Sequence, residues 1–212
     1  MKLYLISGLG ADGRVFERLK LNADVIHIPW KMPLDNESLS SYVQRLSSKI
    51  DTSEDFCLGG LSFGGMCAQE MAKHLKPKKL ILISTAKGRD EFPLFVRFAF
   101  KIGIYKLVPN IVYKRFAFSA SRLMGVFGKN ATVNFKLMVV GIDKQLFGWS
   151  IDKMANWGGA GDFPYFHVHG TADKLLPARC IKNATLIKGG GHLMVLNSPK
   201  EISDLINRYL ES

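Results

Sequence analysis

The stretch Phe56-Cys57-Leu58-Gly59-Gly60-Leu61-Ser62-Phe63-Gly64-Gly65 decides how the rest of the chain is read. It opens as a short apolar run, the mark of a strand buried on both faces, and passes without a spacer into Gly60-Leu61-Ser62-Phe63-Gly64. Residues 66–75 then carry an apolar helical pattern that Pro77 stops. Glycines flank a serine at such a strand-to-helix turn for a steric reason: the bend leaves no room for side chains beside it, and it lifts the hydroxyl off the edge of the sheet. A serine alcohol is a poor nucleophile at neutral pH. A position of this kind needs a nearby base, and the base needs a third group to hold its tautomer.

The candidates lie downstream. In His169-Gly170-Thr171-Ala172-Asp173-Lys174-Leu175-Leu176-Pro177, Asp173 stands just past an apolar run at 163–169, where its carboxylate reaches the carboxyl edge of a sheet. Further on, Gly189-Gly190-Gly191-His192 sets a histidine in a loop between a strand at 184–188 and an amphipathic helix at 199–210. Taken singly, each residue has a plain reading: a turn serine, a helix-capping aspartate, a loop histidine. Their order and spacing argue for Ser62 as nucleophile, His192 as general base and Asp173 as the acid that orients it. Asp90, which follows the strand at 79–84 inside a charged stretch, is the alternative acid. His27 and His167 fall in strands, His74 ends a helix and His169 precedes a turn, so none competes with His192.

Apolar runs at 2–7, 25–28, 56–61, 79–84, 163–169 and 184–188 read as strands, alternating with helical patterns at 36–50, 66–75 and 199–210. Asn36 or Ser38 suits the first helix as a cap. Strands apolar on both faces and separated by helices predict an α/β fold, a mostly parallel sheet of about six strands covered on both sides.

The regions 60–65, 169–177 and 189–199 resemble, in order, the three signature regions of α/β-hydrolases. Ser7-Gly8-Leu9-Gly10-Ala11-Asp12-Gly13 resembles the turn after that family's third strand, with Ser7 where a histidine is usual. The resemblance implies an oxyanion hole made by the backbone N–H groups of Leu9, or Gly10, and Phe63, aimed at the charge that develops on a carbonyl oxygen. It also implies a sheet reduced by the family's first two strands. A serine nucleophile sets the chain apart from the family's dehalogenases and epoxide hydrolases, which use aspartate there.

Residues 87–157 interrupt the alternation. They hold thirteen of the twenty-three aromatic residues, and twelve Lys and Arg against four Asp and Glu, which is +8 of the total charge of +11. We read them as a helical cap inserted between 1–86 and 158–212 of the core. Its clearest helix spans 92–107, with Phe92, Phe95/Val96, Ala99 and Ile102/Gly103 as the stripe that packs inward. A basic surface attracts anionic partners without choosing among them. The expected partner is a small-molecule or acyl substrate, and the basic insertion suits an anionic or carrier-bound one.

The literal Gly8-Leu9-Gly10-Ala11-Asp12-Gly13 match to a dinucleotide loop lacks a carboxylate after the second strand, and no phosphate-binding Lys-Ser/Thr motif occurs. No nucleic acid, cofactor or metal is expected. Three scattered cysteines and a short apolar start point to a reducing, cytoplasmic setting with no spanning segment. The expected activity is hydrolysis of a carboxylic ester or thioester through an acyl-enzyme. The alternatives are cleavage of a carrier-bound acyl group or a carbon–carbon bond on the same fold, and a non-catalytic binding module with a basic cap.

Overall fold

The computed structural model describes residues 1–104, 124, 143–159 and 161–212. Six strands form one parallel sheet: β1 (Lys2–Ile6), β2 (Asp24–Ile28), β3 (Phe56–Leu61), β4 (Lys79–Ile83), β5 (Phe166–Gly170) and β6 (Thr185–Ile187), in the order β2-β1-β3-β4-β5-β6. The register sets Ile6 beside Gly60, Leu61 beside Ile83, Ile83 beside Val168 and Gly170 beside Ile187, so the carboxyl ends of the four inner strands lie along one edge.

Alternation along each strand divides the core into two layers. Tyr4, Ile6, Leu58, Leu80 and Leu82 face α1 (Leu39–Leu46) and α2 (Phe63–Leu75). Leu3, Leu5, Ile81, Ile83 and Val168 face α5 (Met194–Asn197), α6 (Pro199–Glu211) and a 3-10 turn at Gly13–Phe16. Each large side chain buried here stabilises the fold by roughly 1.5–3 kcal/mol relative to exposure. Ser38, rather than Asn36, caps α1, its hydroxyl accepting from Ser41 N–H at 3.1 Å. Lys76 closes α2 in a left-handed conformation just before Pro77.

The structure departs from the sequence reading in three further places. Strand β5 begins at Phe166 rather than 163, because Pro164 has no N–H to give a ladder. Helix α2 begins three residues earlier than 66, directly after Ser62. Within the insertion, α3 (Leu94–Ile102) keeps only part of the expected stripe inside: Phe92 just before it is buried and Val96 packs against the core, joined by Phe100, which meets Phe92 edge-on at 5.5 Å. Phe95 and Ile102, expected inside, are 72% and 54% exposed. The helix is apolar nearly all round, so its periodicity cannot choose a face. The expected continuation of α3 over 105–107 lies outside the described residues.

A further helix, α4 (Lys144–Asn156), was not legible in the sequence; Asp143 caps it by accepting from Gln145 N–H and Leu146 N–H. It packs beside α3 and lays Trp149 against Tyr42 at 4.4 Å between ring centres. Among the described residues no helix is long and apolar enough to cross a membrane.

Candidate active site

Strand β3 ends in a bend that the backbone itself dictates. Ser62 sits at φ 54°, ψ −122°, a conformation that costs a non-glycine residue roughly 1–3 kcal/mol unless its surroundings hold it. They do. Ser62 N–H donates to the Ile83 carbonyl at 2.9 Å, and the Ser62 carbonyl accepts from Gly65 N–H at 2.9 Å and from the Thr85 hydroxyl at 2.7 Å. A Cβ on Gly60 would run into the Gly64 backbone, and one on Gly64 into the carbonyl oxygens of Ile6 and Ser7. The glycines are therefore required by contact between α2 and the neighbouring strand ends. The result is a partly exposed hydroxyl at the head of a thirteen-residue helix.

The loops after β5 and β6 converge on that hydroxyl. Past Gly170, Asp173 Oδ1 accepts from Leu175 N–H and Leu176 N–H, both at 2.9 Å. Its Oδ2 lies 2.7 Å from His192 Nδ1, and His192 Nε2 lies 2.8 Å from Ser62 Oγ. A carboxylate only accepts, so the proton belongs on Nδ1, and the Nε2 lone pair is left to receive the Ser62 O–H. Burial alone would raise the Asp173 carboxyl, but the charge and hydrogen bond of His192 and the Leu176 N–H outweigh it and hold the group below its ordinary value. The loop that carries His192 is tied down by Ala172 N–H to the Gly190 carbonyl at 2.9 Å and by Gly189 N–H to the Thr171 hydroxyl at 2.8 Å.

His169, set aside in the sequence reading, lies directly behind this acid. It is fully buried; its Nε2–H donates to the Leu176 carbonyl at 2.7 Å and comes within 3.4 Å of Asp173 Oδ2. Burial holds its pKa below the ordinary histidine value. The His-Gly-x-x-Asp spacing of His169 and Asp173 is plain in the sequence, but nothing in it signals that the chain after Asp173 would bring the Leu176 carbonyl back to the ring.

On the opposite side of Ser62 runs the turn after β1. Ala11 N–H bonds the Gly8 carbonyl at 2.9 Å and Gly10 takes φ 80°, the third-position geometry of a type II turn. Gly8 lies beside Ser62: a Cβ there would be 3.5 Å from that of the serine. Neither Leu9 nor Phe63 donates its backbone N–H to a partner among the described residues. Phe63 N–H also lies at the N-terminus of α2, where the helix dipole favours negative charge. Ser7 braces the turn by donating to the Ala11 carbonyl at 2.7 Å, and His27 Nε2 reaches the same hydroxyl at 3.3 Å. Trp30 Nε1–H holds the Gly8 carbonyl at 3.3 Å.

An aromatic wall adjoins the site. Trp30 stacks on Phe63 at 5.6 Å, and Trp149 of α4 meets Phe63 edge-on at 6.3 Å. Ser62, Asp173 and His192 are thus brought together, with Phe63 next to the serine in the chain and the turn that carries Leu9 reaching it at Gly8. Asp90 is not part of this group; it is exposed and pairs with Lys182 at 2.7 Å. Among the described residues no three His, Cys, Asp or Glu gather as metal ligands.

No protein-family model matches the sequence, and no curated protein matches it significantly. Solved structures do. The chain is similar to MenH from S. aureus at 17% identity over 100% of this chain and 93% of that one, with a TM-score of 0.72. A hydrolase from Pseudomonas aeruginosa PA01 matches at 15% identity over 100% and 90%, with a TM-score of 0.71. The thermophilic esterase from Thermogutta terrifontis matches at 16% identity over 100% and 89%, with a TM-score of 0.67. The chain has the α/β-hydrolase fold. In this chain the fold is built on six parallel strands, and β3 passes into α2 through the bend at Ser62.

Proposed function

We propose that this chain of α/β-hydrolase fold is a serine hydrolase that cleaves a carboxylic ester or thioester through an acyl-enzyme. The observation that carries the reading is the unbroken hydrogen-bonded line from Ser62 through His192 to Asp173, at 2.8 and 2.7 Å. Ser62 Oγ attacks the carbonyl carbon while its proton passes to His192 Nε2, and Asp173 stabilises the imidazolium that forms. The carbonyl oxygen, now negative, is held by Phe63 N–H and by the N–H of Leu9 or Gly10 on the facing turn. His192 then gives its proton to the departing alkoxide or thiolate as the C–O or C–S bond breaks, leaving the acyl group on Ser62. Next, His192 takes a proton from water, the water oxygen attacks the acyl carbon, and collapse releases the acid and restores the serine. No step draws on a metal or cofactor.

Similarity to an esterase agrees with this reading. Residues 87–157 serve as a cap over a core of 1–86 and 158–212, with Trp149 and Phe63 forming one wall of the acyl site. The cysteines Cys57, Cys67 and Cys180 are free, which suits the cytoplasm.

Hydrolysis of p-nitrophenyl esters from acetate to dodecanoate by the wild type and Ser62→Ala tests the proposal. Turnover that vanishes in a folded variant supports it, and retained turnover overturns it. A second reading, cleavage of an acyl group carried on an acidic protein or a phosphate-bearing carrier, is favoured by the +8 balance of residues 87–157. It requires faster, salt-sensitive turnover of the carrier thioester than of the free methyl ester. Labelling of Ser62 by a fluorophosphonate without ester turnover directs attention to such a carrier or to a carbon–carbon bond; no labelling at all leaves a binding module.

A further inference from the structure

Helix α3 presents to solvent the residues that a helix packed only for stability would bury. Leu94 is 78% exposed, Phe95 72%, Phe98 63% and Ile102 54%, and Ile104 just beyond is 48% exposed. At about 100° per residue, Leu94, Phe98, Ile102 and Phe95 share one continuous quarter of the helix surface, while Arg97 and Lys101 border it on one side. The opposite side, with Val96 and Phe100, is the one seated on the core. An exposed apolar patch of this size, rimmed by polar residues, marks an interaction surface.

Charge identifies the occupant. Arg89, Arg97 and Lys101 surround, with Leu94 and Phe98, a shallow cavity of about 290 Å³ on this face. The two carboxylates at the root of the helix offset it only in part: Asp90 feels the charge of Arg97 but is hydrogen-bonded to Lys182, and Glu91 is buried, accepting from Lys87 N–H and Lys182 N–H. A second copy of the chain related by a two-fold axis would press Arg97 and Lys101 against their own images, which is repulsive. An acidic protein would engage the basic border and leave five large apolar side chains without a reason to be outside. A bilayer with anionic headgroups satisfies both halves, taking phenylalanine and leucine among the acyl chains and arginine and lysine among the phosphates.

We propose that the outer face of α3 docks this protein on an anionic lipid surface. α3 follows β4, leaves the same edge of the sheet that carries Ser62, and packs on α4, whose Trp149 touches Phe63. The inference stands on exposure and charge, and does not depend on Ser62 being a nucleophile.

Co-sedimentation with vesicles of phosphatidylcholine alone, and of phosphatidylcholine mixed equally with phosphatidylglycerol, tests it. The wild type is expected to bind the anionic vesicles at least roughly tenfold more tightly, and to release them as salt rises. Phe95→Ser/Phe98→Ser should weaken binding by about a hundredfold and Arg97→Gln/Lys101→Gln by about thirtyfold, with melting temperature and turnover of a soluble ester unchanged. Should the double phenylalanine variant melt early, Phe98→Ser alone and the charge variant carry the test. Absence of binding, equal binding to both vesicles, or undiminished binding by the variants overturns the proposal. A wild-type dimer in size-exclusion chromatography that Phe95→Ser/Phe98→Ser dissolves would also overturn it, by assigning the face to a second copy.

Discussion

The bend at Ser62 and helix α3 are both dense in apolar residues and both stand at the carboxyl edge of the sheet, yet they are determined in different ways. At the bend, backbone meets backbone. Gly60, Gly64 and the Ile6 and Ser7 carbonyls leave one way for the chain to pass, and the positive-φ Ser62 is held by four hydrogen bonds to its peptide groups, from Gly65, Met66 and Thr85 and to Ile83. On α3 the side chains decide, and nearly every side chain is apolar, so the buried face is chosen by the fit of Phe92 against Phe100. Steric exclusion leaves a sequence signature; a choice between two apolar faces does not.

The comparison sharpens first at the relay, where the largest effect is expected. Asp173→Asn keeps an oxygen for the Leu175 and Leu176 N–H groups but favours the wrong histidine tautomer, so kcat on a soluble ester should fall by roughly 10⁴-fold. Steady-state kinetics beside a thermal melt checks this; a loss of only a few fold would mean that the line through His192 does little. Gly64→Ala comes next. Its methyl has only backbone to displace, and the expected loss is more than about 3 kcal/mol in denaturant titration. A soluble Gly64→Ala with a normal midpoint would show that the bend is looser than its contacts imply.

The third effect depends on pH. His167 is buried on β5 with neither ring nitrogen partnered among the described residues, and burial pushes its pKa from 6.5 down to about 3. Below 6.5 the unfolded chain takes up a proton that the folded chain refuses, so stability falls as pH drops from 6.5 towards 3, by up to about 1.4 kcal/mol per unit. Melting curves at neutral pH and near pH 4.5 should show His167→Phe losing less stability than the wild type; equal losses would place the acid sensitivity elsewhere. The smallest effect belongs to α3: Phe98→Ser should shift stability by no more than about 0.5 kcal/mol, against the several expected for a core phenylalanine. A large loss there would mean that the exposed face is covered after all.

Much of the frame is legible in the sequence. All six strands read as apolar runs, the inner four because both of their faces are buried, and the serine bend is legible because its glycines are compulsory. What escaped reading depends on approach in space. Helix α4 buries only Leu146, Ser150 and Ala155 and contains Gly148, too thin a stripe to recognise. His27 looked like a sheet residue, and only the meeting of β1 and β2 brings it to the Ser7 hydroxyl. His169 looked like a residue before a turn until the loop returned Leu176 to it. Ser62, Asp173 and His192, by contrast, stand at strand ends or in short loops, where chain order constrains position.

Phe63 links two parts of the molecule that an engineer would prefer to treat as separate modules. Its amide stands beside the serine, while its ring is wedged between Trp30 of the core and Trp149 of the insertion. Grafting a foreign segment in place of Lys144–Asn156 would remove one jaw of that clamp. Speed and selectivity would then change together, and a chimera made to widen the substrate range should be rebuilt around an aromatic residue at position 149.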